Sequence, residues 1–271
     1  MILRHISAAS GRLFAENVNQ TAISLVPCST GETIRMREHT SRVTITAPQD
    51  VTIAVSESVN VSGLLECSPQ SKACLVFAHG AGAGMHHPFM AAVAKELGTL
   101  GIATLRYQFP YMENRRKRPD PPALCHATVR AAVAAAHHLV PSLPLFAGGK
   151  SFGGRMTSQA QALTPLANVR GIFFFGFPLH PPKQPSEARA QHLIQIKIPL
   201  LFLQGTRDTF AELALLEPLV RQLGAGATLI LLQDADHSFH VPARTGRSDA
   251  QVQTDMLNAL ATWAGSIAPG L

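Results

Sequence analysis

From residue 43 the chain alternates between contiguous apolar runs and longer stretches whose apolar residues recur every three or four positions. The first runs, RVTITAP (42–48), VTIAV (51–55) and NVSGLLE (60–66), are short, β-branched and separated by turn residues, which predicts antiparallel strands. ACLVFAH (73–79) lacks a polar alternate, as a strand covered on both faces does. After it the two periods take turns. Helices are predicted over 88–101, 122–140, 152–163, 186–196, 211–224 and 249–267. Strands are predicted over 102–107, 144–149, 171–177, 199–205 and 227–234. Pro88 fits a first helical turn, and Gly101 and Gly224 fit helix stops. Strands alternating with helices of this length imply right-handed crossovers and a mostly parallel sheet with helices on both faces. No repeat or linker divides the pattern, so residues 43–271 read as a single α/β domain. Residues 1–42 show no stable periodicity and read as a poorly ordered N-terminal extension, or as sequence upstream of a start at Met36.

Composition narrows the class. Of 271 residues 46% are hydrophobic and only 15% charged, which supplies a large core and excludes a mainly disordered chain. The net charge of +6 is partly concentrated in Arg115-Arg116-Lys117-Arg118. That run reads as a solvated loop, with attraction of anionic substrates or partners as its functional alternative. No aromatic–basic pattern accompanies it, so nucleic acid is not an expected partner. Cys28, Cys67, Cys74 and Cys125 have neither a disulfide framework's spacing nor that of paired metal ligands. No apolar run reaches the roughly 18–20 residues that span a bilayer. A cytoplasmic protein without membrane partner, metal or cofactor is the expectation; the arginines near the N-terminus resemble a transit peptide only faintly.

The chemistry is concentrated in PLFAGGKSFGGRM (144–156). Gly149-Lys150-Ser151 could end a phosphate-binding loop, but that loop needs a glycine where Pro144 stands. The same residues read as G-x-S-x-G, a serine at a sharp strand-to-helix turn. Such a turn crowds the positions two residues on either side of its apex, where Gly149 and Gly153 lie. The N–H of Phe152 then opens a helix, where unpaired donors and the dipole favour a developing oxyanion.

A serine hydroxyl needs a base. His237, in LLQDADHSFH (231–240), follows the last strand on the sheet edge that also carries the Ser151 turn. An acid must orient that imidazole. Asp208, in LFLQGTRDTF (201–210), follows another strand end; Asp234 and Asp236 compete, with loop capping the plainer role for Asp236. His240 and His79 are further candidates as base. A second oxyanion donor is sought in His79-Gly80-Ala81-Gly82, after the central strand, with the N–H of Ala81 as the candidate.

The order Ser151, Asp208, His237 is that of α/β-hydrolases. The segments HGAGAGMHHPFM, RYQFPYME, KRPDPP, GGKSFGGRM, GFPLHPP, LFLQGTRD and DADHSFHVP resemble small bacterial dienelactone-hydrolase-like α/β-hydrolases. They also resemble the hydrolase-like domain of a eukaryotic chromatin-complex subunit and its testis-expressed relative. The resemblance covers roughly residues 50–266. It implies a sheet of about eight strands, the first antiparallel, with Ser151, Asp208 and His237 as a triad. True dienelactone hydrolases carry cysteine where Ser151 stands, so their substrate does not transfer.

Arg106 and Tyr107 end a strand on the same edge and, with Tyr111 and Glu113, either line a pocket or hold a long loop down. His79, Gly80 and Gly82 are further candidates to contact substrate. GFPLHPPKQP (176–185), where larger hydrolases insert a lid, is short and proline-rich, so no large lid is expected; His180 fits loop packing. The expected activity is hydrolysis of an ester or related acyl bond in a small molecule. The alternative is a non-catalytic binding module that docks through residues 115–118.

Overall fold

The computed structural model describes residues 3–5 and 47–268. Apart from residues 3–5, the extension expected at 1–42 lies outside these residues, as does most of the strand expected from 42.

In chain order the strands are β1 (Leu3–His5), β2 (Gln49–Ser56) and β3 (Val59–Glu66), then β4 (Ala73–Ala78) and β5 (Ile102–Tyr107). β6 (Leu145–Lys150), β7 (Val169–Phe175), β8 (Leu200–Gly205) and β9 (Ala227–Leu232) follow. In space the order is β1-β9-β8-β7-β6-β4-β5-β3-β2. The β2–β3 and β3–β5 pairings are antiparallel and the others parallel. The eight strands from 49 to 232 are those of the expected sheet, and Leu3–His5 adds a ninth alongside β9.

Two helical layers cover the sheet, and the period-2 geometry of the strands divides the core between them. Cys74, Val76 and Ala78 of β4 face one layer, with Val129 of α3 (Pro122–Leu139), Met156 of α4 (Phe152–Leu163) and Leu216 of α5 (Leu213–Leu223). Ala73, Leu75 and Phe77 face the other, with Val93 of α1 (Pro88–Thr99) and Leu257 and Trp263 of α6 (Asp249–Ile267). β7 splits likewise: Ile172 and Phe174 against Phe173 and Phe175. This double coverage is why these strands read as unbroken apolar runs. The helix starts are set locally: Pro88 is at the first turn of α1, and Ser248 and Gln251 form a reciprocal capping box on α6.

Two elements differ from expectation. Residues 188–195 form a 3-10 helix rather than an α-helix, and its two buried side chains, Ala190 and Leu193, are three apart, the repeat of that helix. A one-turn helix, α2 (Pro110–Glu113), sits in the loop after β5. Between β7 and β8 the 3-10 helix is the only regular element, so no lid domain stands there. None of the described helices is long and apolar enough to cross a membrane.

The chain runs from β4 to β5 on one side, then returns to place β6 on β4's other flank. This reversal opens a crevice beyond the carboxyl ends of β4 and β6, the place where open α/β sheets bind ligands.

Candidate active site

Ser151 follows β6 and immediately precedes α4. Its backbone sits at φ 50°, ψ −112°, a conformation that costs a non-glycine residue about 1–3 kcal/mol. Close packing behind the turn holds it there. A Cβ on Gly149 would stand 2.3 Å from the Ala78 carbonyl oxygen, and one on Gly153 2.5 Å from that of His79. The two glycines therefore let the serine turn press against the end of β4, which brings Phe152 beside the 79–82 loop.

The Ser151 hydroxyl lies 2.9 Å from Nε2 of His237, whose Nδ1 lies 2.6 Å from Oδ2 of Asp208. These contacts suit an imidazole whose Nδ1–H donates to the carboxylate and whose Nε2 accepts from the serine. Asp208 is buried and fully engaged: Oδ2 also accepts from Nε2 of Gln204 at 2.5 Å, and Oδ1 from the Phe210 N–H at 2.8 Å. The Phe210 ring lies against the imidazole with centroids 4.4 Å apart. Burial lowers the His237 pKa below its ordinary value. The hydrogen bond to Asp208 opposes that shift and the charge of Lys150 adds to it.

Lys150 is partly buried beside this chain. Its ammonium donates to the His237 carbonyl oxygen and lies 4.8 Å from the centre of the Phe239 ring. Burial pulls its pKa down to about 8, against the attraction of Asp208 and Asp236.

Ala81, Ser151 and Phe152 line a cavity of about 410 Å³, completed by Asp120, Arg155, Met156, Arg189, Phe210 and three prolines. The other candidates from the sequence lie elsewhere. His79 is buried, with Nδ1 2.8 Å from the Gly80 carbonyl and Nε2 accepting from the Phe109 N–H at 3.1 Å; burial lowers its pKa to about 4. It fastens the 79–82 loop to the 106–113 segment and does not line the cavity. Gly82 donates its N–H to the Tyr111 hydroxyl at 3.4 Å, and neither Gly80 nor Gly82 is part of the lining.

Arg106 and Tyr107 are buried and also lie off the cavity, because their side chains on β5 turn into the fold. Arg106 pairs with Glu66 and donates to the Met85 carbonyl at 3.1 Å, while Glu113 accepts from Ser62. These contacts are those of loop holding, the alternative to pocket lining. Asp236 accepts from the N–H groups of Ser238 and His240, so it caps its own turn. His240 pairs with Asp249, and His180 bonds the Pro181 carbonyl. Among the described residues no group of three or more His, Cys, Asp or Glu side chains is placed to hold a metal.

Sequence reasoning missed Lys150, Gln204, Phe210 and Arg155. Arg155 had a usable signal, since a residue four beyond Ser151 stands one helical turn along the same face.

A family model described as "Alpha/beta hydrolase domain" matches residues 71–265. The chain belongs to the alpha/beta hydrolases. Solved structures agree on the fold. A dienelactone hydrolase from Anabaena variabilis is 24% identical, with 81% of this chain and 96% of that one covered at a TM-score of 0.62. An alpha-beta serine hydrolase homologue from Coxiella burnetii is 18% identical, with 78% and 97% covered and a TM-score of 0.63. A serine hydrolase without lid from Xanthomonas campestris is 17% identical, with 80% and 95% covered and a TM-score of 0.62. At these identities the likeness carries the alpha/beta hydrolase fold and not a substrate.

Proposed function

We propose that this alpha/beta hydrolase cleaves an ester or related acyl bond through a covalent acyl-serine. The observation that carries the proposal is the continuous hydrogen-bonded chain Ser151–His237–Asp208 at the mouth of the cavity. Ser151 Oγ attacks the acyl carbon as its proton passes to Nε2 of His237, and Asp208 stabilises the imidazolium that forms. The N–H groups of Phe152 and Ala81 are the proposed donors to the tetrahedral oxyanion. The imidazolium then gives its proton to the departing alcohol, amine or thiol. Water, deprotonated by the same imidazole, attacks the acyl-serine, releasing the acid and restoring the hydroxyl.

Hydrolysis of p-nitrophenyl acetate tests this reading. Wild type should release nitrophenolate with an initial burst that matches the enzyme concentration, and Ser151→Ala should show neither burst nor turnover. Equal rates for the two proteins would refute it.

A docking role is the second reading. It rests on the resemblance to the hydrolase-like domain of a chromatin-complex subunit and on the exposure of residues 115–118. An intact Ser–His–Asp chain argues against it, since a binding module has no need of all three residues.

A further inference from the structure

The cavity beside Ser151 contains two guanidinium groups, Arg155 and Arg189, and they lack counter-ions. Neither forms an ion pair or side-chain hydrogen bond among the described residues. Nε of Arg155 is fully buried with no hydrogen-bond partner. Nε of Arg106 is likewise buried without a partner, so an anion in the cavity would meet the terminal nitrogens of Arg155 rather than its Nε. The Phe152 ring lies beside the Arg155 guanidinium, its centre 5.8 Å from the Arg155 Cζ.

The surroundings supply no anion to spare. Asp120 is the one carboxylate in the lining, and its oxygens are taken by the Tyr111 N–H at 2.6 Å and by Arg116 at 2.5 Å. Of the other titratable groups near Arg155, burial pushes the Cys125 thiol up to about 12, and His126 and His192 are both held below the ordinary histidine pKa, by burial first and by Arg155 in addition. Burial and then Arg189 depress Arg155 itself. The cavity thus carries uncompensated positive charge next to the serine.

We propose that the acyl substrate bears an anionic oxygen group, a carboxylate or a phosphate, that Arg155 and Arg189 hold while the scissile carbonyl lies at Ser151. A guanidinium presents parallel N–H donors that match the oxygens of either group, which also fixes the orientation of the substrate. Arg155 projects from the first turn of α4, the element that begins at the serine turn, so the distance from anion to reacting carbon is set by one rigid helix. The inference rests on the hydrolase reading for the identity of the reaction, but not for the binding of the anion.

The test compares mono-p-nitrophenyl glutarate with its neutral methyl ester, two probes that differ mainly in one charge. Wild type should favour the charged probe in kcat/KM by about tenfold or more, the scale of a charge-assisted hydrogen bond in a partly dry site. That ratio should fall by about tenfold in Arg189→Gln, and likewise in Arg155→Gln. Arg189 is half-exposed on the 3-10 helix, so its variant keeps the test informative if Arg155→Gln does not fold. A wild-type ratio at or below one, or a ratio that neither variant changes, would overturn the proposal.

A second arm needs no chemistry. On Ser151→Ala, calorimetry should find monoethyl glutarate or inorganic phosphate binding at least about tenfold tighter than diethyl glutarate, with the preference lost in the added Arg189→Gln. The tighter of the two anions names the head group. Charge-selective binding without wild-type turnover would uphold the anion site and remove the hydrolase reading. Turnover without charge selectivity would do the reverse.

Discussion

Replacing Asp208 by asparagine is the most searching substitution, because the structure fixes what each amide orientation would meet. Asp208 accepts three hydrogen bonds on two oxygens: Gln204 and His237 on Oδ2, and the Phe210 N–H on Oδ1. An amide offers one oxygen and one NH2. If its nitrogen takes the Oδ1 place it faces the Phe210 N–H, donor against donor. If it takes the Oδ2 place it faces both Gln204 and Nδ1 of His237, and the imidazole must become the tautomer with its proton on Nε2. One buried donor is left unsatisfied either way, a cost of about 1–3 kcal/mol. At about 2–4 °C per kcal/mol for a domain of this size, the thermal midpoint should fall by roughly 2–12 °C.

Activity should fall further than stability. The first orientation removes the charge that stabilises the imidazolium, and the second leaves Nε2 unable to accept the serine proton. Each predicts a loss in kcat of about 10³–10⁴, or about 4–5.5 kcal/mol of barrier. The pH profile supplies an independent sign. The active form has neutral His237, so the rate falls as pH drops through its pKa. Asp208 raises that pKa, so its removal should move the acid limb of kcat/KM to lower pH. Steady-state assays of Asp208→Asn on p-nitrophenyl acetate across pH read both effects. A kcat within tenfold of wild type, or an acid limb shifted upward, would refute the reasoning.

Other perturbations follow from the same contacts. Lys150→Met removes a like charge from His237 and the ammonium that holds its carbonyl. The acid limb should move to higher pH as kcat/KM drops, and an unchanged profile would argue against any coupling. Gly153→Ala places a methyl 2.5 Å from the His79 carbonyl and 2.6 Å from that of Ala78, both backbone. The serine turn must then shift, costing about 1–3 kcal/mol, and calorimetry should show a lower midpoint together with lost ester turnover. Arg106→Met leaves Glu66 as a part-buried carboxylate without its partner and should destabilise by about 2–4 kcal/mol in chemical denaturation. A role for Arg106 in the cavity would instead show as a raised KM at unchanged stability.

Much of this was legible in the sequence because double coverage of the central strands leaves no polar alternate in runs such as ACLVFA and GIFFF. The serine turn was legible for a steric reason: only glycine fits at 149 and 153. Adjacency to His237 spoke against Asp236, and in the fold Asp236 is consumed by its own turn while Asp208 bonds Nδ1 of His237. What the sequence hid depends on side-chain direction. Arg106 and Tyr107 end a strand at the catalytic edge, yet they turn inward, and the facing side of a strand end is not written in its residues. Residues 188–195 have helical amphipathicity, but their buried positions three apart tighten them to a 3-10 helix. Arg189 reaches the cavity from a position whose neighbours give no hint of it.

The central claim is that Ser151 is an activated nucleophile. Labelling with a fluorophosphonate, read as intact-protein mass and mapped by peptide, tests it most directly. A single adduct on Ser151 in wild type, absent from Ser151→Ala and strongly slowed in His237→Ala, is the predicted result. No adduct on folded wild type, or an adduct that persists in Ser151→Ala, would contradict it.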